Sequence, residues 1–281
     1  MNSNVDNKVS ELLTNGFKVR VGDAFDDLSR LLKGVFGYAF LAVVVYFLLS
    51  SVISLMVGMF FPSVEIDEDE LEAIINSGNS DEIISYYKDI FTGGSFGLST
   101  FLTNIISAIL YPIIYSIYTM AYKFEKEKQI GFSDLFIHYK DGKFLNLFLV
   151  TVIIQIVSSI GYVLCLLPGF VVSSMWILAI PLVIFGNASV GEALNNSMKL
   201  AFKDFGTFLL FFLGIIGIGI LCVIVGFILC CIGLFFTLPL FYIIIQLLIY
   251  SFYKIIVGFP GESTNSEEEI KDIYKDNPYM N

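Results

Sequence analysis

The sequence predicts an all-α bundle of six transmembrane helices, arranged as three hairpins with amphipathic interfacial helices. Three observations carry this. The 281-residue chain is 56% hydrophobic and only 15% charged, against about 45–50% apolar and about 25% charged in a soluble domain. Four stretches contain no Asp, Glu, Lys or Arg: 31 residues after Lys33, 33 after Asp89, 48 after Lys143 and 49 after Asp204. The basic residues fall almost wholly into alternate connecting segments.

One helical span needs about 20 residues to cross a hydrocarbon core of about 30 Å. The first two runs therefore hold one span each. The last two are about twice too long for one and hold two each. The spans are placed at about 35–60, 97–121, 144–166, 170–187, 207–230 and 234–257. Lipid cannot satisfy open backbone groups, and runs of this length exceed barrel strands, so helices are expected.

Residues 1–34 form an N-terminal segment, residues 35–258 the membrane domain and residues 259–281 an acidic tail. The first apolar run is too long, and too far from the start, for a secretory signal. Fifteen of the 16 Lys and Arg lie before span 1, between spans 2 and 3, between spans 4 and 5, or after span 6. The remaining one, Lys88, shares the loop 62–95 with nine acids. Basic loops face the cytoplasm, so both termini are expected there and the acidic loop outside. The net charge of −10 then reflects that loop and a solvated tail rather than disorder of the whole. Nothing in this pattern suits nucleic acid.

Within the acidic loop, Ser80 can cap a helix whose first turn holds Asp81 and Glu82. Ile83, Ile84, Tyr87, Ile90 and Phe91 follow at helical spacing, which predicts a short helix on the membrane surface or over the bundle. Three stretches on the basic side also have amphipathic periodicity. Ala24, Leu28, Leu31, Leu32 and Val35 share one face, and Leu194, Met198, Ala201, Phe202 and Phe205 share another. Phe132, Leu135, Phe136 and Tyr139 form a shorter third. Ser189 and Glu192 have the spacing of a capping box at the head of the second. Such helices lie at the headgroup boundary.

Two segments echo each other, "GYVLCLLPGF" from Gly161 and "GFILCCIGLF" from Gly226. Each lies near the centre of a double-length run, so each is read as the outer tip of a hairpin. A Pro-Gly pair in a membrane helix also suits a broken-helix binding site; the distance to the nearest charges favours the tip.

No charged residue or histidine falls within the four runs, which disfavours a proton-coupled transporter or an ion pump of the usual kind. The polar residues form stripes instead. Thr151, Gln155, Ser158, Ser159 and Tyr162 share a face of span 3. Thr100, Thr103, Asn104, Ser107, Tyr111 and Tyr115 share one on span 2, with a kink expected at Pro112. Gly219, Cys222 and Gly226 form a small-residue stripe on span 5. Helix packing accounts for such stripes, and a polar groove for a lipid headgroup is the sharper reading. Asn104, Gln155 and Ser159 are its candidate substrate-binding residues.

The single histidine, His138, lies in the loop after span 2 with no partner visible along the chain. It reads as an interface residue. The cysteines Cys165, Cys222, Cys230 and Cys231 lie in apolar runs without His, Asp or Glu beside them, so packing is expected rather than a metal site or a disulfide framework. Walker A, H-E-x-x-H and G-x-G-x-x-G patterns are absent. No catalytic residue, metal or cofactor is expected. The expected partners are the lipid bilayer, other membrane proteins or a second copy of the chain.

The segment "LLPGFVVSSMWILAIPLVIFGNASVGEALNNSMKLAFKDF" resembles bacterial six-span membrane proteins of the YciC-like kind. It also resembles the membrane domain that precedes some glycerophosphodiester phosphodiesterases. The likeness rests on Pro168 and Gly169, on Trp176 and Pro181, and on Ala193, Leu194, Ser197 and Leu200. "IGLFFTLPLFYIIIQLLIYSFYK" is similar to the closing hairpin of that family. The resemblance covers residues 20–258 and implies an integral protein of a bacterial plasma membrane. It transfers no catalytic residue, because the phosphodiesterase activity belongs to a separate soluble domain.

Overall fold

A computed structural model describes residues 3–17, 19–60, 68–92, 102–164, 166–229 and 233–259. Cys165, Cys230, Cys231, Thr100, the tail beyond Phe259 and the loop residues Glu65 and Asp67 lie outside them, as do the side chains of Tyr87, Ile90 and Phe91. Every regular element among the described residues is helical. Six helices are long and apolar enough to cross a membrane. They are span 1 (Leu28–Phe60), span 2 (Leu102–Glu125), span 3 (Phe144–Leu164), span 4 (Leu166–Met175 with Ala179–Gly186), span 5 (Phe205–Ile228) and span 6 (Leu234–Ile256).

Span 1 packs on spans 2 and 6, span 3 on span 4, and span 5 on span 6 and the first half of span 4. Spans 2 and 4 are the interior members, each 61% buried over its most apolar window, against 22% for span 1 and 17% for span 5. The outer spans turn bare hydrocarbon outward, such as Leu55, Met59, Leu221 and Ile228. In lipid that costs nothing, since tails are as apolar as leucine.

The amphipathic stretch before span 1 does not form a separate interfacial helix. Only Asp23–Asp26 stands apart; from Leu28 the helix runs unbroken to Phe60. Its 33 residues rise about 50 Å, well beyond a hydrocarbon core. Nothing between Leu28 and Val35 interrupts the backbone, and Gly34 lets it pass the Phe124 ring, where a Cβ would stand 2.3 Å from Cζ.

The helix predicted from Ser189 forms as Val190–Lys203, and the Ser189 N–H donates to the Glu192 carboxylate at 2.9 Å. The third stretch, Phe132–Tyr139, is a 3₁₀ helix kinked at Phe136. Leu135 is buried as its pattern predicts, but Phe132 is exposed, and Asp134 and His138 take the inner side. Ser80–Thr92 forms with Asp81 and Glu82 in its first turn and packs against a second helix, Glu68–Ser77. An N-terminal helix, Ser3–Asn15, packs on Val190–Lys203. Val9, Leu12 and Leu13 share one face of it and pack against the core, with Val9 buried.

Both echoed segments are hairpin tips. A Cβ on Gly161 would lie 2.9 Å from the Cα of Gly169, and one on Gly233 would lie 2.8 Å from the carbonyl oxygen of Gly226. Each hairpin thus closes through a pair of glycines. Pro168 sits in the first turn of its helix, where a missing N–H costs nothing.

Candidate functional site

The polar chemistry collects towards the end of the bundle that carries most of the basic residues. Span 2 continues past the predicted residue 121 to Glu125, and Lys254 lies in the last turn of span 6. Asp27 and Arg30 come from the junction before span 1. The Glu125 carboxylate accepts from Arg30 Nη2 at 2.6 Å, Lys254 Nζ at 2.7 Å and the Tyr250 hydroxyl at 2.6 Å. Asp27 completes the group, 3.2 Å from Arg30 and 3.5 Å from Lys254. Two cations face two anions, so the cluster is neutral. Burial pushes the Asp27 carboxyl up, but the Arg30 hydrogen bond and the Lys254 charge outweigh it and hold it below its ordinary value.

Beside this cluster the segment from Gly131 to Lys143 lies along span 2. Lys123 donates to Asp134 at 2.6 Å, and Asp134 also accepts the Gly131 N–H. His138, only 1% exposed, is held at both ring nitrogens: Nδ1 lies 2.8 Å from Asp141, and Nε2 lies 3.3 Å from the Thr119 hydroxyl. Burial pushes the Asp141 carboxyl up, and the hydrogen bonds from His138 and the Lys143 backbone overcome this to lower it. Tyr139 donates to the Ile109 carbonyl at 2.7 Å, and Lys143 Nζ donates to the Ile184 carbonyl. Burial lowers the Lys143 pKa. Hydroxyl, imidazole and carboxylate here stand in the order of a nucleophilic relay. The imidazole is enclosed, and its bonds tie the loop to span 2. His138 reads as solitary along the chain, and the fold supplies two partners, one of them three residues away.

A seam of tyrosines continues from Glu125 into the bundle. Tyr111, Tyr115, Tyr118 and Tyr122 lead to Glu125 at steps of 4, 3, 4 and 3, which is one helical stripe of about 21 Å. Tyr46 of span 1 meets Tyr111 at 5.4 Å between ring centroids and Tyr242 of span 6 at 6.2 Å. The Tyr115 hydroxyl pairs with Thr151 of span 3 at 3.0 Å. Among the described residues, Gln155 Oε1 and Gln246 Oε1 are buried without a hydrogen-bond partner. The kink expected at Pro112 appears as a 3₁₀ turn, Ala108–Leu110.

Span 4 is the broken helix, and the break is not at Pro168. It falls at Trp176–Leu178. Pro181 has no N–H for the carbonyl four residues back, at Ile177, and its ring crowds that carbonyl. Ser197, wholly buried on the helix Val190–Lys203, covers the gap. Its hydroxyl donates to the Met175 carbonyl at 2.8 Å and accepts the Leu178 N–H at 3.2 Å. Irregular backbone within a membrane bundle survives where side chains satisfy it in this way. Trp176, Pro181 and Ser197 thus meet at one break.

The stripe residues serve contacts. Tyr162 pairs with Ser173 at 2.9 Å, and Ser173 donates to Ser158 at 3.3 Å. A Cβ on Gly219 would meet the Phe241 ring, and one on Gly226 would meet Leu234 and Thr237, so the small stripe faces span 6; Cys222 is a half-buried free thiol. Of the candidate substrate residues, Asn104 and Ser159 are exposed while Gln155 turns its oxygen inward. Spans 5 and 6 also share an open apolar furrow of ≈ 440 Å³ along Gly219, Val223 and Phe241. Among the described residues no group of three or more His, Cys, Asp or Glu could hold a metal ion.

Six apolar helices around a tyrosine-lined interior define a polytopic α-helical membrane protein. Compared with known proteins, the chain matches no family model, no curated protein and no solved structure.

Proposed function

We propose that this is a non-enzymatic, membrane-embedded scaffold or accessory protein that binds lipid or partner proteins through its bundle and surface helices. The observation that carries this reading is where the interior polar groups go. Tyr115 is spent on Thr151, Tyr162 on Ser173 and Ser197 on the span 4 break. Glu125 is spent on Arg30, Lys254 and Tyr250. A path for a polar solute needs such groups free to face it. The resemblance to YciC-like proteins supports the same reading and a bacterial plasma membrane. The distribution of Lys and Arg supports cytoplasmic termini.

The alternative is a transporter or lipid-translocating permease. The buried, unpaired oxygens of Gln155 and Gln246 favour it, since such groups ordinarily have partners.

Gentle purification in native lipid, followed by mass spectrometry of bound proteins and lipids, tests the proposal. A scaffold keeps a co-purifying partner when Gln155→Leu and Asn104→Leu are introduced and loses it when the helix Val190–Lys203 is disrupted. A permease loses flux on Gln155→Leu while expression persists. A purified protein without any specific partner or lipid defeats the scaffold reading.

A further inference from the structure

The helix Val190–Lys203 has two edges with different surroundings. Ala193, Ser197, Leu200 and Ala201 line its buried edge, and Ser197 holds the break of span 4. Gly191, Asn195, Lys199 and Phe202 recur at i, i+4, i+8 and i+11 on the other edge, and all are exposed. Phe202 is 66% exposed, and the exposed Lys203 follows it.

Several other basic residues at this end are already committed. Arg30 and Lys254 hold Glu125, Lys123 holds Asp134, and Lys143 holds the Ile184 carbonyl. Lys199 and Lys203 have no ionic partner among the described residues. The nearby acids are occupied, Glu192 by Ser189 and Asp204 by the Thr207 N–H. The helix leads directly into span 5, so its outer edge meets the headgroup layer. An exposed aromatic ring between two uncommitted ammonium groups suits that layer: the ring and lysine stems rest at the acyl boundary and the charges reach phosphate.

We propose that the outer edge of this helix binds anionic lipid headgroups through Lys199, Phe202 and Lys203, and that Ser197 transmits the binding to the break at Trp176–Leu178. The inference rests on the lipid-binding reading above and names the lipid class, the residues and the consequence. A helix seated on a charged leaflet keeps Ser197 in its bridge. A helix lifted from it leaves the Met175 carbonyl and the Leu178 N–H without partners in apolar surroundings, so span 4 must rearrange.

The chain contains a single tryptophan, and it is Trp176, within the break. Its emission therefore reports the break directly. The full chain is reconstituted in phosphatidylcholine bilayers with or without phosphatidylglycerol, and retained lipid is read by native mass spectrometry. The wild type is expected to retain phosphatidylglycerol over phosphatidylcholine and to shift its Trp176 emission when phosphatidylglycerol is present. Lys199→Gln with Lys203→Gln loses both effects, while Lys88→Gln in the acidic loop keeps both. Ser197→Ala keeps the lipid preference and loses the emission response; Ser197→Thr, which keeps a hydroxyl, retains both. Phosphatidylglycerol preference persisting in the double glutamine variant, or an unchanged emission response in Ser197→Ala, overturns the inference. Retention of phosphatidylcholine without preference overturns it too, and leaves the lipid-binding reading standing. A wild type that retains neither lipid overturns both.

Discussion

The Tyr250 hydroxyl donates to Glu125 at 2.6 Å, joining span 6 to span 2 across 125 residues of sequence. Tyr250 is fully buried and its ring packs on Phe259, just beyond the end of span 6. The chain can turn there because Gly258 takes φ +68. One side chain thus ties the charged cluster to the helix terminus. Glu125→Ala is expected to cost about 2 kcal/mol, the range for hydrogen bonds to charged groups. Arg30 and Lys254 would then face each other without their shared anion. Thermal unfolding in detergent measures it, and a double-mutant cycle with Tyr250→Phe isolates the pair. Additive losses would show that the contact contributes nothing.

Asp27 predicts an acid-sensitive component. Its folded pKa lies below the ordinary value of 3.8. The contribution is therefore fully present above that value and is lost as pH falls through the lowered one. The gap in Tm between the wild type and Asp27→Asn should be constant above about pH 5 and close below about pH 4. A gap that widens on acidification contradicts the assignment.

Ser197→Ala should destabilise the chain by about 1 kcal/mol, near the upper part of measured interhelical hydrogen bonds in membranes. Ser197→Thr should recover most of the loss, because the hydroxyl rather than the volume does the bridging. Equal losses in the two variants, read as Tm shifts, would point to packing instead.

The hairpin tips predict a contrast between glycines. Gly161→Ala places a Cβ 2.9 Å from Gly169 backbone and should cost about 1–3 kcal/mol, as overpacking does. Gly217→Ala meets nothing within 4 Å and should be neutral or slightly stabilising. Parallel melting curves decide it; equal effects would remove the close crossing from the account.

Orientation has a direct check. In a chain with its four cysteines replaced, Asn79→Cys should react with an impermeant thiol label applied to intact cells, and Lys126→Cys should react only after lysis. Both positions are exposed, so access is decided by the side of the membrane. The reverse pattern would invert the topology.

Much of the architecture is written locally. The charge-free runs count the spans, because lipid enforces a minimum helix length. Ser189 and Glu192 mark a helix start, because a cap involves residues three apart. The polar stripes on spans 2, 3 and 5 point inward at most of their positions, because the helical repeat alone sets which residues share a face. Asn104 and Ser159 depart from this and stand exposed. His138 reads as solitary because its partner Thr119 lies 19 residues back, although Asp141 at i+3 is a visible signal.

The sequence by itself determined the class of protein, the number of spans and the hairpin tips. Length, charge and glycine placement act within a few residues, or along one helix, and need no partner to be read. Only the tertiary structure decided that Glu125, Arg30, Lys254 and Tyr250 form one cluster, that span 4 breaks at Trp176–Leu178, and that Ser197 closes the break. Those outcomes depend on which helix surfaces meet. In an apolar chain many surfaces are equally hydrophobic, so the pairing is selected by a few hydrogen bonds and close glycine contacts that exist only once the bundle is assembled.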